Sequence, residues 1–236
     1  MKNLRKFTKK NLFGFGVVGL LLLMTSSCIK SHDDTPPTPV ALVSVIQDSP
    51  GQDPLYFTLN GARVNQSALV YGSGLDYFTA YTGTRTIAFV KANTGAVVAS
   101  DTVTLKQNLA YTVCLVNKSD SPELLVLNDA ITQPTSGNAN LRFVNLSPDA
   151  PAVDLAVKDG DVLVSNKSFK GSSAFSSITA KDYSFEIRQA GTNTVLATLD
   201  NVSIKSGFVY TIYFRGLKDA TDGNKLTADL IVNAAY

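Results

Sequence analysis

Asp200-Asn201-Val202-Ser203-Ile204-Lys205 answers Asp101-Thr102-Val103-Thr104-Leu105-Lys106, polar for polar and apolar for apolar. Both runs alternate in the period-two manner of a strand with one buried face. The correspondence extends outward. Tyr111-Thr112-Val113 returns as Tyr210-Thr211-Ile212 at the same offset of 99. Upstream, Thr94, Val97 and Ala99 return as Thr192, Val195 and Ala197, and Ser49-Pro50 returns as Ser147-Pro148, all at an offset of 98. An ordered series at nearly constant spacing is an internal repeat, and it resolves the chain beyond residue 39 into two units.

The units read as β throughout. In the second, Leu141–Leu146, Val153–Val157, Val162–Ser165, Tyr183–Arg188, Val195–Leu199, Val209–Arg215 and Leu226–Val232 are apolar runs of strand length. Between them lie Ser147-Pro148-Asp149, Lys158-Asp159-Gly160, Ala190-Gly191-Thr192-Asn193 and Asp222-Gly223-Asn224, which are turn chemistry. Val209–Phe214 is apolar on both faces and predicts a central strand. Thr86–Lys91 and Tyr111–Val116 are counterparts in the first unit, and no helical stripe of useful length follows residue 30. The expected fold is all-β: two tandem immunoglobulin-like antiparallel β-sandwich domains, at residues 40–128 and 141–236, joined by a turn-rich linker at 129–140.

Charge and leader bound the setting. The chain holds 21 basic and 19 acidic residues, but residues 1–27 contain five bases and no acid, leaving 16 against 19. The folded part therefore lacks the basic footprint of a nucleic-acid partner. The basic stretch Met1–Lys10 leads into the apolar run Leu12–Met24, then Thr25-Ser26-Ser27 and Cys28. Thirteen apolar residues fall short of the roughly 20 that cross a bilayer. The arrangement resembles a bacterial lipoprotein signal. That resemblance implies removal of residues 1–27, lipid (palmitate-type) attachment at Cys28 and a lipid-anchored tether over 28–39, stiffened by Pro36, Pro37 and Pro39. The implied location is the cell envelope, at the outer membrane, with the membrane held through N-terminal acyl chains.

Leu141-Arg-Phe-Val-Asn-Leu-Ser-Pro-Asp-Ala-Pro-Ala-Val-Asp154 resembles the opening of the DUF4397 family of secreted or lipid-anchored envelope proteins. The likeness is full over Ser147–Pro151 with Asp154 and is carried on 141–236. In 40–128 only Ser49-Pro50-Gly51-Gln52-Asp53-Pro54 answers, with Tyr56 where Asp154 would fall. The family implies a β-sandwich and no established activity.

Functional residues are sparse. The one histidine, His32, lies in the tether, so neither unit holds an imidazole for general base or zinc chemistry, and seventeen Asp against two Glu suit turns better than acid–base pairs. No catalytic residue, metal site or cofactor is expected. Cys114, in an apolar strand, has no partner once Cys28 is acylated and reads as a buried thiol. The candidate ligand-binding residues are Asp149 and Asp154 in the Ser-Pro-Asp-Ala-Pro turn. Tyr77 and Tyr81 join them from the aromatic segment Tyr71–Tyr81, read as an exposed loop. Two functions follow. One is a non-catalytic binding or adhesion module for a surface glycan or an envelope protein. The other is a structural spacer or surface-assembly subunit pairing through strand edges.

Overall fold

The computed structural model describes residues 38–236. The expected signal peptide, Cys28 and the tether as far as Pro37 lie outside the described residues. The first repeat comprises β1 (Val40–Gln47), β2 (Leu55–Leu59), β3 (Ala62–Arg63), β4 (Ser73–Tyr81), β5 (Gly83–Lys91), β6 (Val97–Leu105), β7 (Ala110–Val116) and β8 (Glu123–Asp129). The second comprises β9 (Asn138–Asn145), β10 (Val153–Val157), β11 (Val162–Lys167), β12 (Ser176–Thr179), β13 (Asp182–Gln189), β14 (Val195–Ser203), β15 (Phe208–Arg215) and β16 (Thr227–Ala235). No helix occurs among the described residues.

Each repeat is a two-sheet sandwich. The first has sheets β4-β1-β7-β8 and β3-β2-β5-β6; the second has β12-β9-β15-β16 and β11-β10-β13-β14. Every strand of the second repeat thus occupies the place of the strand eight earlier. The antiparallel expectation needs one correction, since β1 runs parallel to β7 and β9 parallel to β15. Five strands intervene between the members of each pair, so no hairpin dictates their relative direction. The strand missed by periodicity is β12, whose Ser-Ser-Ile-Thr has no apolar alternation and which is ordered by pairing with β9. The expected join at 129–140 is narrower here: Asp129 closes β8 and Asn138 opens β9.

Alternation along β1 shows how three cores arise. Ala41, Val43 and Val45 point into the first sandwich with Leu55, Phe57, Ile87, Phe89, Val113 and Leu115. Phe143, Leu155, Phe185, Ile187, Ile212 and Phe214 fill the second. The opposite face of β1 contributes Ile46 to a third cluster, with Cys114, Val116 and Leu127 of the first repeat and Val144, Leu146 and Tyr213 of the second. The two inner sheets therefore pack face to face, and the repeats share an apolar seam. Burial of this kind contributes roughly 25 cal/mol per Å².

Local chemistry fixes the turns. Asn60 and Gly61 close the β2–β3 hairpin with φ of 49° and 79°, the left-handed pair that a two-residue turn requires. Gly74 is required for a different reason: a Cβ there would collide with the carbonyl of Val45, beside the register shift between Val43 and Val45 on β1.

Candidate functional site

The seam is not wholly apolar. Asp129, at the end of β8, ion-pairs with Arg142 of β9, and their side chains are 0% and 3% exposed. A ring of hydrogen bonds closes around this pair. Arg142 Nε donates to Thr211 Oγ1 (3.1 Å), and Thr211 donates to Asn233 Oδ1 (2.7 Å). Asn233 Nδ2 donates to Tyr77 Oη (3.0 Å), which donates back to Asp129 Oδ2 (2.6 Å). Thr112 Oγ1 donates to the same oxygen at 2.6 Å and contacts Ser44 Oγ at 2.9 Å. Burial, reinforced by the Asp129 charge, pushes the Tyr77 phenol up to about 12, so it serves as a donor at any physiological pH.

A second charged group sits where β1 ends. Asp48 is 1% exposed, and neither carboxylate oxygen has a hydrogen-bond partner. Arg215 Nε lies 3.8 Å away while donating to Asp229 Oδ2, and its guanidinium stacks 4.7 Å over the Tyr71 ring. Burial pushes the Asp48 carboxyl well above the usual range, with Arg215 opposing and Asp229 reinforcing the shift. Both buried acids belong to the first repeat and both arginines to the second. At the rim Lys170 meets Glu123 (2.6 Å) and Lys118 meets Asp149 (3.1 Å), each pair again spanning the repeats.

Between β1 and β4 on one side and β15 and β16 on the other, the seam opens into a cleft of about 190 Å³. Ser44, Ser73, Asp76, Tyr77, Tyr213 and Asn233 supply its polar lining. Gly72 and Gly74 also line it, and a Cβ at either would collide, with the Arg215 guanidinium and the Val45 carbonyl respectively. Asp76 is exposed at its mouth. It carries a charge with no basic side chain lining the same cleft.

The expected site residues are scattered. Tyr71–Tyr81 is not an exposed loop, because Ser73–Tyr81 forms the edge strand β4. Tyr77 is half-buried, its hydroxyl held by Asp129 and Asn233, which corrects the expectation of exposure. The reason is the neighbouring repeat, which covers this face of β4. Tyr81, 62% exposed, lies beyond that cover and does not line the cleft. Asp149 Oδ1 accepts from the Lys218 amide at 2.9 Å. Asp154 is buried, with one oxygen accepting from the Asn166 amide (2.7 Å) and the other from the Gly191 amide (2.9 Å). In the first repeat, where Tyr56 replaces that aspartate, Asn65 Oδ1 accepts from the Phe57 amide at 2.7 Å. Asp76, Tyr213 and Asn233 were missed as a group, since they lie on three strands whose proximity no spacing announces. Among the described residues no cluster of three His, Cys, Asp or Glu side chains could hold a metal ion.

A family model described as "Domain of unknown function (DUF4397)" matches residues 41–156. That stretch is similar to the DUF4397 family. The match covers the first repeat and the opening motif of the second, Leu141–Ala156, whereas the sequence reading placed the likeness chiefly on 141–236. The DUF4397 segment thus begins on β1 and ends within β10. The search of curated proteins found no match. Among solved structures, the chain is similar to CBMbc (family CBM26) from Eubacterium rectale Amy13K in complex with maltoheptaose. Identity there is 10%, the TM-score 0.27, and coverage 84% of this chain and 98% of that one. It is also similar to the Bacillus anthracis TIE protein at 12% identity and a TM-score of 0.24. That likeness covers 76% of this chain, which spans about a third (34%) of the TIE protein.

Proposed function

We propose that this chain is a non-catalytic, lipid-anchored protein of the bacterial outer membrane. In this reading it presents the seam cleft as a binding site for a surface glycan. The observation that carries the reading is the cleft itself, in which a carboxylate, two phenols and an amide from both repeats converge on about 190 Å³. Pockets favour such junctions, and those for drug-sized ligands run to roughly 300–1,000 Å³. A smaller cleft suits one sugar unit or the end of a chain. Hydroxyl-rich ligands match a lining of donors and acceptors, and Asp76 at the mouth provides a charge-assisted acceptor. The fixed geometry follows from the buried ring, which holds Tyr77 and Asn233 in place from two sides. The leader supports anchoring, since its short apolar run followed by Cys28 resembles a bacterial lipoprotein signal.

Two measurements test this. Mass spectrometry of the mature N-terminus is expected to show acylated Cys28 as the first residue. A glycan array probed with the mature chain is expected to give hits that weaken at least tenfold in Asp76→Ala and persist in Asp149→Ala. Absence of hits, or equal binding by the two variants, sinks the glycan reading.

A further inference from the structure

Strand directions gather one set of turns at a single end of the molecule. The chain enters there at Thr38, and the Thr82 amide donates to Pro39 O while the Asn108 amide donates to Val40 O. The second repeat contributes the same end: Ala180 N donates to Gly137 O, Gly137 N to Ser206 Oγ, and Tyr236 N to Gly207 O. Four exposed large apolar side chains gather here. Of ten such residues, Leu42 (43%), Tyr81 (62%), Leu109 (36%) and Tyr236 (59%) stand at this end. Val232 follows just inside it on β16, Val162 and Leu163 lie midway along the outer sheet of the second repeat, and Val70, Val97 and Val195 lie toward the far end. Leu42, Leu109, Ile131, Ala234 and Tyr236 line a mostly apolar groove of about 460 Å³ where the seam opens to solvent. Asp129 in its lining is paired with Arg142, and the other charged groups on the turns of this end are Arg85, Lys106, Lys181 and Lys205 against Asp182, an excess of three positive charges. Lys181 and Lys205 extend over the Tyr183 and Phe208 rings, at 4.9 and 5.9 Å from the centroids.

We propose that this end of the molecule docks on an anionic phospholipid surface, with Leu42, Tyr81, Leu109 and Tyr236 entering the headgroup region and the lysines resting on phosphates. Tyrosines and lysines flanking an apolar patch are the side chains that settle at a membrane interface. Chain length commits the occupant. Cys28 precedes Val40 by twelve residues, which span at most about 43 Å when fully extended. On the anchored reading given above, an acyl group at Cys28 joins the molecule to the bilayer through this end, where the chain enters, so its apolar and basic side chains are the first to meet the surface. Tethering then supplies an effective concentration at which weak surface contacts suffice.

The mature chain from residue 28 carrying Cys28→Ser, and so lacking any acyl group, is floated with vesicles of phosphatidylethanolamine and phosphatidylglycerol (3:1). Co-flotation is expected at low salt and is expected to decline as salt rises. Leu109→Ser/Tyr81→Ser should reduce it at least tenfold at unchanged Tm, whereas Val97→Ser at the far end should not. No flotation, or equal loss in the far-end variant, overturns the proposal. So does a concentration-dependent dimer dispersed by Leu109→Ser/Tyr81→Ser, which makes the face an interface between copies. Acylation is read separately on the wild-type N-terminus. Failure here leaves the anchored glycan-binding reading standing, and failure there leaves the surface contact measurable.

Discussion

Replacing Arg142 by alanine removes the partner of a carboxylate that has no access to water. Asp129 would keep the Tyr77 and Thr112 hydroxyls, both on Oδ2, and lose the cation on Oδ1. Thr211 would lose its donor, and the Phe175 ring would lose a guanidinium 4.6 Å from its centroid. Breaking a buried pair on one side costs about 3–5 kcal/mol, because the stranded charge stays desolvated. Whole-protein stability is about 5–15 kcal/mol, so this single change removes a large fraction of it. In a chain of this size each kcal/mol moves Tm by about 2–4 °C, giving a fall of about 6–20 °C. Thermal and urea denaturation followed by circular dichroism, with a double-mutant cycle against Asp129→Ala, provide the assay. The cycle should show about 2–3 kcal/mol of coupling, since the second substitution removes the charge that the first had stranded. A loss under 1 kcal/mol, or additive single effects, would refute the claim that the seam is welded by this pair.

Three further outcomes follow from the same geometry. Asp48→Leu, which copies Leu146 at the equivalent place in the second repeat, should stabilise by about 1–3 kcal/mol near neutral pH by removing an unsatisfied buried carboxylate. The native carboxyl titrates above its unfolded value, so wild-type stability should fall as pH rises from about 4 through the raised value. The variant should lose that dependence, as pH-dependent melting would show. Asp154→Ala should cost about 2–4 kcal/mol by orphaning the Asn166 and Gly191 amides, without altering glycan-array hits; a change in ligand binding at unchanged stability would reverse the assignment. Cys114, fully buried and with its thiol pushed up chiefly by burial, should resist a thiol-specific reagent until the chain unfolds, and rapid native labelling would contradict the seam's closure.

The sequence by itself determined the repeat, its β character and the central place of Val209–Phe214, because strand periodicity and turn chemistry are local properties of consecutive residues. It also identified Cys114 as buried, although the cluster enclosing that thiol is the seam rather than a sandwich interior. Where it erred, the missing information was always the neighbour. Tyr77 and Tyr81 look alike along the chain, four residues apart on β4, yet one is covered by the second repeat and the other is not. Asp48 and Asp129 read as ordinary turn acids among seventeen aspartates. Tertiary structure alone decided their fate, because burial and the arginines opposite them are supplied by strands about 13 and 167 residues away. A side chain's period states which face it occupies. What lies against that face depends on how two sheets meet, and that choice is set by packing and charge across the seam rather than by any stretch of contiguous residues.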